Sequence, residues 1–111
     1  MTEMILRRWV GRIRTETTDA YRAYIAETGG TDYRQTPGNQ GYRMLMRDVD
    51  DGITEVVTES LWTSLDDIKA FAGDDISLAR YYPRDDDFLL DRPVNVTHYR
   101  VVDEAEPRPK T

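Results

Sequence analysis

The chain has 111 residues, no cysteine and a formal net charge of −6. That length holds one domain and excludes two. The missing thiols exclude disulfides, thiolate metal centres and cysteine nucleophiles, and the acidic balance, without any Lys/Arg block, argues against nucleic acid as a partner. No apolar run approaches a membrane span, and Met1-Thr2-Glu3-Met4 does not lead from basic residues into an apolar stretch. The expectation is a cytoplasmic protein with neither signal peptide nor membrane partner.

Residues 4–13 (MILRRWVGRI) are rich in β-branched and aromatic side chains and predict a strand. Ile5, Trp9 and Ile13 fall on one face of it and Leu6 and Val10 on the other, so both faces need cover. Thr15 or Thr17 can cap a helix with Glu16 and Asp19 near its positive end. Tyr21, Tyr24, Ile25 and Thr28 recur at helical spacing, and Gly29-Gly30 is expected to end the run. Residues 32–40 carry Pro37-Gly38-Asn39, a turn signal. Residues 41–49 and 53–62 are strand-like on either side of Asp50-Asp51-Gly52, a hairpin turn that requires positive φ. Ser64-Leu65-Asp66-Asp67 has a capping-box pattern and opens a second helix. Leu65, Ile68, Phe71 and Ala72 form its apolar face, and Gly73 stops it. Residues 75–82 predict a short helical piece ending at Pro83, residues 84–87 a polar loop, and residues 94–102 (VNVTHYRVV) the last strand. Residues 103–111 read as a frayed tail beyond a domain of residues 1–102.

The order β-α-β-β-α-β predicts a ferredoxin-like α+β subunit: a four-stranded antiparallel sheet with both helices on one face. A second copy of the sheet is the simplest cover for the other face, which predicts a homodimer.

These segments resemble the antibiotic biosynthesis monooxygenase family of dimeric α/β-barrel proteins. The resemblance is carried by Arg8-Trp9-Val10-Gly11-Arg12, by Thr36-Pro37-Gly38-Asn39-Gln40-Gly41 and by the run from Leu61-Trp62-Thr63-Ser64 to Phe71-Ala72-Gly73. Ala79-Arg80-Tyr81-Tyr82-Pro83 and Val96-Thr97-His98-Tyr99 complete it, so it spans about Met4 to Val102. It implies two sheets closing into a barrel across a dimer, with one pocket per subunit between sheet and helices. Characterised relatives oxidise polycyclic phenols with O2 and neither metal nor flavin; others bind and degrade haem, and still others are isomerases or have no known activity. The expected function is cofactor-independent oxygenation of an aromatic or polyketide-type small molecule. The alternatives are a non-catalytic dimeric binding protein, a haem-binding or haem-degrading protein, and an isomerase or cyclase. Haem is disfavoured because such relatives place the proximal histidine in the second helical region, where residues 65–82 hold none.

His98, the one histidine, is the candidate base toward a phenol or enol. Trp62 either lines the pocket, as the resemblance implies, or pins the second helix to the sheet; Trp9 carries the same ambiguity. A ferredoxin-like sheet sets the first strand beside the last, so Trp9 and His98 are expected to be neighbours. Arg80 and Tyr82 are candidates for holding an oxyanion, with a surface ion pair as the plainer reading of Arg80. Tyr21, Tyr24 and Phe71 are expected to wall the pocket, with core packing as their default. Asp85-Asp86-Asp87 reads as a solvated loop rather than a metal site, because consecutive carboxylates diverge. One histidine without cysteine excludes a typical zinc site, so no metal is expected.

Overall fold

The computed structural model describes residues 4–105. Four strands form one antiparallel sheet: β1 (Ile5–Arg14), β2 (Asn39–Asp50), β3 (Ile53–Trp62) and β4 (Thr97–Arg100), in the order β2-β3-β1-β4. The helices are α1 (Thr18–Glu27), α2 (Gly29–Gln35) and α3 (Leu65–Ala72), with 3-10 turns at Thr15–Thr17 and Asp85–Asp87. The ferredoxin-like α+β arrangement therefore stands.

Alternation along the strands divides the sheet into two chemically different faces. The register sets Arg7 opposite Ser60, Trp9 opposite Thr58 and Ile13 opposite Thr54. This is the face covered by the helices, where Ile13, Tyr21, Ile25 and Val56 form one buried cluster and Tyr33, Trp62, Ile68 and Phe71 another. The second face carries cross-strand rows. Leu45, Val57 and Val10 form an apolar row. It is flanked by Arg43-Glu59-Arg8 and Arg47-Glu55-Arg12, whose ion pairs are Arg43–Glu59 at 2.9 Å and Arg47–Glu55.

The β2–β3 hairpin turns at Gly52 with φ of 74°. Ser64 caps α3 by accepting the Asp67 N–H at 3.1 Å. Asp67 accepts from the Thr63 hydroxyl instead of closing the reciprocal half of a capping box.

Three expectations are corrected. Gly29-Gly30 does not end the helical run. The chain breaks at Thr28, whose hydroxyl donates back to the Tyr24 carbonyl at 2.9 Å, and the two glycines then open α2. A Cβ at Gly30 would overlap the Tyr42 hydroxyl, so close packing, rather than helix termination, selects glycine there.

Residues 75–82 form no helix. Their backbone pairs instead with residues 94–96: Leu78 bridges Asn95, Ala79 N–H donates to the Val94 carbonyl at 2.9 Å, and Val96 N–H to the Ser77 carbonyl at 2.8 Å. The last strand is consequently shortened to Thr97–Arg100 in the main sheet. Backbone groups must find partners somewhere, and here the two irregular segments satisfy one another. The third correction is Asp85, which is 2% exposed and not solvated. Of the expected tail, residues 103–105 are exposed without regular structure, and residues 106–111 lie outside the described residues.

Gly38 has φ of 90°, and a side chain there would overlap the Asp67 carboxyl. Gly38→Ala is expected to lower the unfolding free energy by about 3 kcal/mol in urea titration, combining backbone strain with overpacking.

Candidate functional site

A cavity of about 50 Å³ lies between the sheet and the helical layer. Arg7, Trp9 and Thr58 supply its sheet wall; Tyr21, Ile25, Gly29 and Tyr33 its helical wall; and Phe71, Arg80, Tyr81, Tyr82, Asp85 and Val96 close it.

Arg7 is 3% exposed although it is an arginine in a strand. Its guanidinium donates to the carbonyls of Ile76 at 2.5 Å and Leu78 at 2.9 Å, and contacts His98 Nε2 at 3.0 Å. Among the described residues no carboxylate pairs with it. A guanidinium has no acceptor, so His98 Nε2 must accept and the ring proton resides on Nδ1. Burial, then the charge of Arg7, push the His98 pKa below its ordinary value. His98 therefore stands behind Arg7 and outside the cavity lining. Its cross-strand neighbour is Arg7 and not Trp9.

Trp9 lines the cavity, and its indole N–H donates to the Tyr81 hydroxyl at 3.1 Å. Tyr81 in turn donates to the Pro93 carbonyl at 2.5 Å. The Trp9 ring lies across Gly11, where any Cβ would overlap it. The Trp-x-Gly spacing in β1 is thus a sequence signal for this placement.

Arg80 donates to the Phe71 carbonyl at 2.7 Å and pairs with Asp32 at 3.0 Å, its guanidinium carbon 5.0 Å from the Phe71 ring centre and 5.1 Å from that of Tyr82. The Tyr82 hydroxyl donates to the same Asp32 oxygen. These contacts latch residues 80–82 onto α2 across the cavity. Burial, with the Asp32 hydrogen bond, raises the Tyr82 pKa.

Asp85 accepts the Tyr82 N–H at 2.5 Å through Oδ2, while its buried Oδ1 has no hydrogen-bond partner. Burial is the main cause that lifts its carboxyl above the ordinary aspartate range. Asp86 and Asp87, by contrast, are exposed and pair with Arg92 and Arg84.

Of the residues singled out in the sequence, Trp9, Tyr21, Phe71, Arg80 and Tyr82 line the cavity. Trp62 does not: it is fully buried, donates to the Ser60 hydroxyl at 2.8 Å and packs against the stacked rings of Tyr33 and Phe71. Tyr24 stacks on Phe88 at 5.5 Å, outside the lining. Sequence reading missed Arg7, Asp32, Tyr33, Tyr81 and Asp85. Arg7 had a legible signal, since it alternates onto the same face as Ile5 and Trp9. Asp85 had none, because three consecutive aspartates look alike until a turn buries one.

The residues do not suit haem: His98, the one imidazole, lies outside the cavity lining with its Nε2 engaged by Arg7. Among the described residues no cluster of three or more His, Cys, Asp or Glu is placed to hold a metal ion. No described helix is long and apolar enough to cross a membrane.

No family model matches the sequence, and no curated protein matches it. Solved structures do match. A Bacillus cereus protein provisionally named an antibiotic biosynthesis monooxygenase superposes with a TM-score of 0.66 at 19% identity, covering 95% of this chain and 99% of its own. A Nitrosomonas europaea protein with the same provisional name gives 0.65 at 18% identity, covering 92% and 93%. Rv0793 of Mycobacterium tuberculosis gives 0.60 at 24% identity, covering 94% and 99%. The chain therefore has the fold of the antibiotic biosynthesis monooxygenase group over nearly its whole length.

Two outcomes follow from the geometry. A folded state that favours neutral His98 gains stability above the ordinary histidine pKa of 6.5 and loses it as pH falls through the lowered one. The stability of the wild type relative to His98→Gln, which keeps an acceptor but cannot titrate, should therefore shrink between pH 7 and pH 5 in denaturant titrations. Gly11→Ala should displace the Trp9 ring, read as a red-shifted tryptophan emission with the secondary structure retained.

Proposed function

We propose that the cavity binds the reacting edge of an electron-rich hydroxylated aromatic and that the chain is a cofactor-independent oxygenase. The observation carrying this reading is an aromatic-walled cavity whose wall includes a buried guanidinium, Arg7, without a carboxylate partner. Such a group stabilises an anion formed beside it far better than solvent-screened charge does. Loss of a proton from an activated CH2 gives a carbanion that O2 oxidises: CH2 and O2 become C=O and H2O. Trp9 and Phe71 supply apolar contact, and Arg7 supplies the counter-charge. A cavity of about 50 Å³ takes only the edge of a ring system, so the Arg80–Asp32–Tyr82 latch must open for the remainder to enter.

The fold group described above supports an oxidoreductase reading. Oxygen uptake with 1,8-dihydroxyanthrone tests it. Consumption of O2 faster than in buffer, lost in Trp9→Ala by at least tenfold, is expected; uptake equal to buffer sinks it. Conversion of a substrate under argon would instead favour an isomerase, which the same buried acid–base groups would serve.

The second sheet face supports a homodimer. Tyr99 is 49% and Leu45 43% exposed on it, beside the Arg-Glu-Arg rows. A second copy would cover these rows and leave the cavity on the outer, helical side. Sedimentation equilibrium should return twice the chain mass, and Val10→Glu should return a single chain.

A further inference from the structure

The cavity wall holds two buried groups of opposite charge that do not pair with each other. Arg7 is 3% exposed and donates to two carbonyls and one imidazole, none of them anionic. Asp85 is 2% exposed, with Oδ2 on a backbone N–H and Oδ1 unpartnered. A buried polar atom without a partner is costly and uncommon. Nothing in the packing explains it: Asp86 and Asp87, its chain neighbours, are exposed and ion-paired.

We propose that Asp85 is the proton acceptor of the cavity and Arg7 the group that holds the resulting anion, for small carbon acids and enolisable compounds. The inference shares its cavity with the oxygenase reading and deepens it, but needs no oxygen. The step is a simple proton transfer. The Asp85 carboxylate takes the proton of a C–H beside a carbonyl or nitro group; the C–H electron pair moves onto that group's oxygen, which faces the Arg7 guanidinium. The proton held by Asp85 exchanges with solvent, and delivery of a solvent-derived proton to carbon restores the carboxylate. Burial raises the Asp85 carboxyl pKa, which makes it a stronger base than an exposed aspartate. A 50 Å³ cavity has room for roughly four water-sized groups, so a guest of four or five heavy atoms fits with the latch closed.

Nitroethane is the probe. Its α-hydrogens exchange in D2O when a deuteron replaces the proton on the base before return to carbon, and proton NMR follows their loss under argon. The full chain is expected to accelerate exchange well beyond an equal concentration of acetate. Asp85→Asn keeps an acceptor for the Tyr82 N–H but no base, and should slow exchange by at least about 10²-fold. Asp85→Ser gives the same result if the asparagine variant does not fold. Arg7→Gln should cost roughly 10²-fold. Exchange no faster than with acetate overturns the proposal, as does a folded Asp85 variant that exchanges at the wild-type rate. Because no O2 is present, a chain that exchanges nitroethane yet consumes no oxygen with the anthrone fails only the oxygenase reading. A chain that consumes oxygen with Asp85 replaced fails only this one.

Discussion

The Arg7 guanidinium is the tie on which the cavity side of the molecule depends. It projects from a central strand into the layer between sheet and helices, and there it draws the carbonyls of Ile76 and Leu78 and the ring of His98 toward the sheet. Those contacts anchor the turn at residues 76–77 and the bridge at Leu78 against the sheet. Their remaining backbone groups then find residues 94–96, which leave the main sheet to meet them. The shortened β4 and the non-helical path of residues 75–82 meet beside this one desolvated charge, and Tyr81, Tyr82 and Asp85 close the cavity it lines. Desolvating a guanidinium is costly, and oriented carbonyl dipoles offset the cost without neutralising the charge.

The same logic explains why the cavity is electrostatically active despite aromatic walls. Water-exposed ion pairs such as Arg84–Asp87 are screened and contribute little. Arg7 and Asp85 are both removed from solvent and unpaired with one another, so each acts on whatever enters with little screening. The rings of Trp9, Tyr33 and Phe71 keep the surroundings of low polarity. The hydroxyls of Tyr81 and Tyr82 are already committed, to Pro93 and Asp32 respectively. Arg7 and Asp85 are the buried charged groups of the lining. The Arg80–Asp32–Tyr82 latch, its ion pair about a third exposed, is the natural place for the wall to give.

Sheet alternation lets one set of strands support two separate tasks. The odd positions of β1 carry Arg7, Trp9, Gly11 and Ile13 to the cavity and core, while Leu6, Arg8, Val10 and Arg12 go to the opposite face. A substitution on one face therefore leaves the other chemically intact, and the apolar and Arg-Glu-Arg rows can serve association without touching the cavity.

The sequence alone determined the elements whose signals are local. Strand β3 lies over the same residues its pattern predicts, Ser64 caps its helix and Gly52 turns its hairpin. Period-two alternation in β1 put Trp9 and Ile13 on the buried face, and helical spacing put Tyr21 on the cavity wall. Tertiary structure decided everything that rests on distant partners. Gly29-Gly30 reads as a stop until the Tyr42 hydroxyl is set against it. Trp62, apt for a pocket by its position, is drawn into the core by Ser60, Tyr33 and Phe71. His98, apt for a base, has its Nε2 lone pair taken by a residue 91 positions away. Asp85 is a buried carboxylate because its turn folds back beneath Tyr82, whose N–H it accepts. Local pattern fixes backbone periodicity, whereas burial and hydrogen-bond partnership of a side chain are properties of the assembled layers.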